Sequence, residues 1–204
     1  MEILAFIAAS VVLTLMPGPD IIFVLTQSIT NGKKAGILIA LGLCTGLIVH
    51  TMAAAFGISV ILLKSATAFR IIKYAGAAYL IYLGMKAIYE KELVFDTGEK
   101  KIIAPQKLYS QGIFMNLLNP KVSLFFIAFL PQFVNTNDKN TAWQMAMLGI
   151  IFIIQAIVVF TVVSILADMF SARFLRSTKI AKHFKWVKAA VLGGIGISLL
   201  FTSQ

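Results

Sequence analysis

Leu15-Met16-Pro17-Gly18-Pro19-Asp20 interrupts the first apolar run of this chain. Aliphatic residues flank it on both sides, from Ile3 to about Gln27. Proline lacks a backbone donor and clashes with the preceding helical turn, so a regular helix cannot pass through Pro17 and Pro19 unbroken. A carboxylate in the middle of such a run is expensive, by about 2.5–3.5 kcal/mol on insertion scales, and needs a partner, water or a proton. A second interruption follows about a hundred residues later, at Asn119-Pro120-Lys121. These two breaks are expected to be halves of one site.

The surrounding composition sets the class. The chain has 204 residues, 59% of them hydrophobic and 13% charged, with a mean hydropathy of +0.91. That is too little polar surface for a soluble domain, so the reading is an all-α polytopic membrane protein. About 20 apolar residues cross a bilayer core, and six runs qualify or nearly so. They are about Ile3–Gln27, Gly36–Leu63, Phe69–Ile88, Ser110–Val134, Trp143–Ala167 and a short, glycine-rich Trp186–Phe201. The abundant phenylalanines are expected on the lipid-facing surface. The start of the chain reads as a retained first span, because no Lys or Arg precedes the apolar run.

Charge orients the spans. Of the 18 Lys and Arg residues, thirteen fall in the 1–2, 3–4 and 5–6 loops, which lie on one side of a six-span chain. Lys64, Arg70, Lys73 and Lys139 fall on the other, and Lys121 lies inside the fourth span. The positive-inside rule then places both termini outside. The net charge of +10 is assigned to loops facing anionic lipid and not to nucleic-acid binding. In the 171–188 loop, basic residues recur every three positions between apolar ones, a pattern for an amphipathic helix on anionic lipid or for a solvated basic loop.

The chain also divides into halves, about 1–90 and about 108–204, joined by a cytoplasmic linker at about 91–107. Pro19-Asp20 in span 1 answers Pro120-Lys121 in span 4. An odd number of spans per half inverts one half relative to the other. An inverted 3+3 repeat with broken helices 1 and 4 points to a transporter's midplane site.

The candidate site residues follow from depth and chemistry. Asp20 and Lys121 lie at similar depth with opposite charge, and are expected to approach each other in the protein interior. Asn116 and Asn119 add neutral donors and acceptors about one turn apart. A broken helix exposes amides on one side and carbonyls on the other, which suit an anion and a cation respectively. Pro17, Gly18, Pro19 and Pro120 make the breaks, and a tolerated kink is the plain alternative. Gly42 and Gly46, spaced i and i+4 on span 2, suit close helix packing. His50 continues that stripe as a proton relay or a hydrogen-bonded packing residue. Gln155 either lines the path or packs. No cofactor is implied, and one cysteine and two distant histidines give no metal-binding pattern. An intramembrane enzyme using Asp20 and His50 lacks a nucleophile–base pair. Efflux of an inorganic cation lacks clustered ligands, and a non-transporting scaffold leaves both buried charges with no role beyond pairing. A homodimer is compatible with six short spans.

With those residues in view, the chain resembles the LysE/RhtB family of bacterial amino-acid exporters. The likeness runs over nearly the whole chain. It rests on Pro17-Gly18-Pro19-Asp20, on Gly42, Gly46 and His50, and on Gly76-Ala77-Ala78-Tyr79-Leu80-Ile81-Tyr82-Leu83-Gly84. It also rests on the stretch from Gly112 through Asn116, Asn119, Pro120 and Lys121 to Phe129-Leu130-Pro131-Gln132-Phe133. The resemblance implies export of a small zwitterionic solute, an amino acid or close derivative, driven by the proton motive force. It also implies a site near Asp20, Asn119 and Lys121.

Overall fold

The computed structural model describes residues 3–58, 65–89, 103–135 and 140–170, with isolated positions 190, 193, 194 and 197. The sixth expected span, the basic 171–188 loop and most of the 91–107 linker lie outside the described residues. The described residues are built from helices: α1 (Ile3–Leu15), α2 (Pro19–Asn31), α3 (Lys33–Ala53), α4 (Ala66–Tyr89), α5 (Pro105–Leu117), α6 (Pro120–Leu124) and α7 (Thr141–Met169). A π-turn at Ala54–Ile58 prolongs α3. A second π-turn (Phe125–Phe129) and a 3-10 turn (Leu130–Phe133) prolong α6. The protein is an all-α polytopic membrane protein.

Two of these units are long and apolar enough to cross a bilayer alone, Lys33–Ile58 and Thr141–Met169. The 29 residues of α7 measure about 43 Å at 1.5 Å per residue, longer than the hydrocarbon core, so α7 is long enough to span with some tilt or to extend beyond it. Among the described residues, up to two further spans arise if each of two bent pairs is one span. The pair α1 and α2 bends by 57° at Met16–Gly18, and Pro105–Leu117 with Pro120–Phe133 bends by 49°. Proline stands at the first helical position after each bend. There its missing N–H costs nothing and its fixed φ favours the helix start.

At the other end of α2, Asn31-Gly32 turns the chain into α3 in one step. Gly32 has φ of +85°, a left-handed conformation that suits glycine. The helix therefore reaches four residues past the Gln27 boundary expected from hydropathy.

Helix α3 lies at the centre, against α2, α5 and α7. Lipid tails are as apolar as leucine, so packing inside a membrane depends on close fit more than on water exclusion. Small residues supply that fit. A side chain on Gly42 would strike the Tyr109 carbonyl, and one on Gly112 would strike the Ile39 carbonyl. Gly76 on α4 sits against Ala128 of the second π-turn.

The core is aromatic. Phe6, Phe125, Phe126 and Phe152 are buried and touch one another, with ring centroids 5.1–6.0 Å apart. This corrects the expectation that phenylalanine coats the lipid-facing surface. Phe56 and Phe114 do face outward, but six others, including Phe129 and Phe160, lie inside. Between membrane helices, large flat rings fill irregular gaps and gain ring–ring contact. Lys73, counted with the outer-side basic residues, is instead buried within α4, its ammonium 5.3 Å from the Tyr74 ring.

Candidate site between the two helix breaks

The last carbonyls of a helix lack intrahelical partners. In α1 the shortage is built into the sequence, because the residue four positions after Leu13 is Pro17, which has no N–H to offer. Lys121, from the other break, makes up the shortage. Its Nζ donates to the Leu13 carbonyl at 3.1 Å and to the Met16 carbonyl at 3.3 Å. A cation at a helix C-terminus also meets the negative end of the helix dipole.

Gly18 makes this approach possible. A Cβ there would stand 3.1 Å from Lys121 Nζ and 3.5 Å from its Cε. Its backbone is extended, with φ of −163°, so a side chain would be limited by Lys121 and not by torsion. Gly18→Ala is therefore expected to push the ammonium off the α1 carbonyls. Efflux should fall about three- to tenfold, the effect of roughly 1 kcal/mol of overpacking. Initial efflux rates at matched expression, with Gly57→Ala as the unhindered control, check this.

Asp20 occupies the first turn of α2 and is 3% exposed. Lys121, Asn119, Asn116 and His50 face its carboxylate. Asp20 and Lys121 line a common cavity of about 10 Å³, room for one water-sized group. Thr14 and Asn116 complete its polar lining; Leu13, Leu47, Val122, Phe152 and Phe160 form the apolar wall.

The two asparagines have different surroundings. Asn119 caps α6, its side-chain oxygen accepting from the Lys121 backbone N–H at 3.0 Å, while its Nδ2 has no hydrogen-bond partner among the described residues. Asn116 reaches the cavity, and its Oδ1 has no hydrogen-bond partner among the described residues. The same holds for Asp20 Oδ1. Buried polar atoms are nearly always hydrogen-bonded, so orphans gathered in one place call for an explanation.

His50 and Gln155 stand outside the cavity lining. His50 is half-buried, with Nε2 3.3 Å from the Asn116 carbonyl and its ring 5.8 Å from Phe126. Gln155 donates to Thr14 Oγ1 at 2.9 Å, and its Oε1 has no hydrogen-bond partner among the described residues. Gly46 lies against the Asn116 side chain, a Cβ there falling 2.7 Å from Oδ1. Gly42, one turn earlier, meets α5 backbone.

Thr14 was not among the sequence-based candidates. A lone hydroxyl in a membrane helix usually bonds back to the preceding turn, and Thr14 does donate to the Ser10 carbonyl at 2.8 Å. Its spacing of six residues from Asp20 was the available signal. Only the contact with Gln155 of α7 distinguishes it from a self-satisfied packing residue.

With this geometry in place, likeness to known proteins becomes informative. The family model for LysE type translocators matches residues 11–203. The chain belongs to the LysE type translocator family. It is 33% identical over 205 residues to YrhP of Bacillus subtilis, described as an uncharacterized membrane protein, covering 96% of this chain and 97% of that one. A second uncharacterized membrane protein, from Vibrio cholerae, is 29% identical over 96% of this chain and 95% of its own. The homoserine/homoserine lactone efflux protein of Salmonella typhimurium is 33% identical over 82% of this chain and 81% of its own. No solved structure matches the chain. As a LysE type translocator, the protein is a membrane transporter of a bacterial family, and its two helix breaks are where a translocation site is to be sought.

Proposed function

We propose that this LysE type translocator exports amino acids or close derivatives across the bacterial inner membrane by alternating access, coupled to the proton motive force. The observation that carries the reading is the meeting of both helix breaks at one buried cavity, with a carboxylate from one and an ammonium from the other. Asp20 and Lys121 bring the charges that a zwitterion complements; Asn116, Asn119 and His50 face the Asp20 carboxylate, and Gln155 reaches the site through Thr14. A relative at 33% identity is a homoserine/homoserine lactone efflux protein, which supports solutes of that size and chemistry.

Six spans, inverted halves at about 1–90 and 108–204, and both termini outside belong to the same proposal. The two bent pairs at corresponding places in the halves support it. With so small a space between the breaks, a whole solute fits only after the broken helices move. Rocking of one half against the other supplies such a movement in repeat-built transporters. Efflux of an inorganic cation fits less well, because among the described residues no three His, Cys, Asp or Glu side chains cluster.

The test is efflux from cells preloaded with amino acids and dipeptides, homoserine included, comparing the wild-type chain with Asp20→Asn at equal membrane abundance. The substitution keeps shape and removes charge, so the rate should fall at least tenfold, about 1.4 kcal/mol or more of lost interaction. Wild-type rates in the variant would remove Asp20 from the mechanism. A panel with no exported member would remove the amino-acid reading.

A further inference from the structure

Resting on that export reading, we propose that the cavity between the breaks is an ammonium subsite. In it, Asp20 Oδ1 and Asn116 Oδ1 receive the solute's amino group, and the solute's carboxylate is not required for recognition.

The hydrogen-bond inventory of the cavity wall leads to this. Four polar side chains line it: Thr14, Asp20, Asn116 and Lys121. The Thr14 hydroxyl donates to Ser10 and accepts from Gln155, so both its roles are filled. Lys121 is engaged with the Leu13 and Met16 carbonyls. What remains unmet on the wall is two acceptors, Asp20 Oδ1 and Asn116 Oδ1, on side chains 3% and 1% exposed. A carboxylate brings acceptors only and would meet no unmet donor there. An ammonium brings three donors and no acceptor, and its bond to a carboxylate oxygen is of the stronger, charge-assisted kind.

Size leads the same way. A cavity of about 10 Å³ admits one water-sized group, which describes an ammonium head and not a three-atom carboxylate. Asn119 Nδ2 is an unmet donor nearby, but Asn119 is not part of the cavity lining. Gln155 Oε1, beside Thr14, is a further unmet acceptor. The substrate class that follows is primary amines with a small apolar or weakly polar body. Amino-acid esters, amides and lactones belong to it alongside free amino acids, while N-acylated amino acids do not.

The subsite can be probed with the group alone. Purified full-length protein in detergent is heated with methylammonium chloride, sodium chloride or sodium acetate at matched ionic strength. Methylammonium is expected to raise the unfolding midpoint by roughly 3 °C at ten times its dissociation constant, with sodium and acetate giving none of that rise. The isosteric Asn116→Leu should reduce the methylammonium shift by at least half, and Asp20→Asn should abolish it. Equal protection by sodium would make this an inorganic cation site and overturn the proposal, as would protection by acetate. An unchanged methylammonium shift in both variants would overturn it too.

A competition arm separates this proposal from the export reading beneath it. In efflux assays, the methyl ester of an exported amino acid should compete within about threefold of the parent, and its N-acetyl derivative at least tenfold more weakly. Efflux with the N-acetyl derivative competing as well as the ester sinks the subsite and leaves export standing. Methylammonium protection without any amino-acid efflux does the reverse.

Discussion

Replacing Lys121 with Met should cost the protein both its transport and much of its stability, and removing Asp20 as well should restore part of the stability but none of the transport. The single substitution orphans three groups together. The Leu13 and Met16 carbonyls lose their donor, at about 1–3 kcal/mol for each buried polar group left unsatisfied. Asp20, 3% exposed, loses the cation that faces it, a change of about 3–5 kcal/mol when one partner of a buried pair is removed. Asp20→Asn in the Lys121→Met background removes the unneutralised charge, so the double variant should melt above the single one. That sign is the test. Distant, independent sites add, whereas groups in one electrostatic network do not. Thermal midpoints of the two single variants and the double variant in detergent, with efflux measured beside them, complete the cycle. If the double variant's loss equals the sum of the single losses, the two charges do not sense each other and the cavity is not one electrostatic unit. Efflux should fall at least about a hundredfold in every member lacking Lys121, corresponding to 2.7 kcal/mol or more.

The second large effect lies away from the charges, where α3 crosses α5. Gly112→Leu is expected to prevent stable folding, and Gly112→Ala to cost about 1–3 kcal/mol. A Cβ at Gly112 would strike the Ile39 carbonyl and stand 2.9 Å from the Leu43 amide and 3.0 Å from Gly42 Cα. Those are backbone atoms, which cannot rotate aside as a side chain can, so the two helix axes must part. The same movement would carry Asn116, one turn along α5, away from Gly46 and from the cavity. Gly57→Ala is the matched control, because a Cβ there meets nothing within 4 Å among the described residues. Size-exclusion profiles and thermal midpoints of the three variants decide the matter. A Gly112→Leu protein that is monodisperse and melts with the wild type would show that α3 and α5 are not held at backbone contact.

Much of this is legible in the sequence itself. Apolar runs and sparse charge identify a membrane protein, because a bilayer imposes the same composition on any chain that crosses it. Proline chemistry marks both breaks, because a missing N–H interrupts a helix whatever surrounds it. The intramembrane charges stand out because their burial is costly in any arrangement. These are local or solvent-imposed effects, and sequence carries them directly.

What tertiary structure alone decided concerns partners and direction. Lys121 bonds to carbonyls 105 and 108 residues away, and nothing at position 121 announces that backbone carbonyls are among its acceptors. Thr14 lines the cavity, and α7 brings Gln155 to its hydroxyl. Phe6, Phe125, Phe126 and Phe152 turn inward although composition favoured the lipid face, since hydrocarbon and protein interior are equally apolar and hydropathy cannot tell one from the other. The breaks and their charges were determined by sequence. Which group answers which was decided by the packing of α1, α3, α5 and α7, because hydrogen bonds form only between atoms that close helix contact brings within about 3 Å.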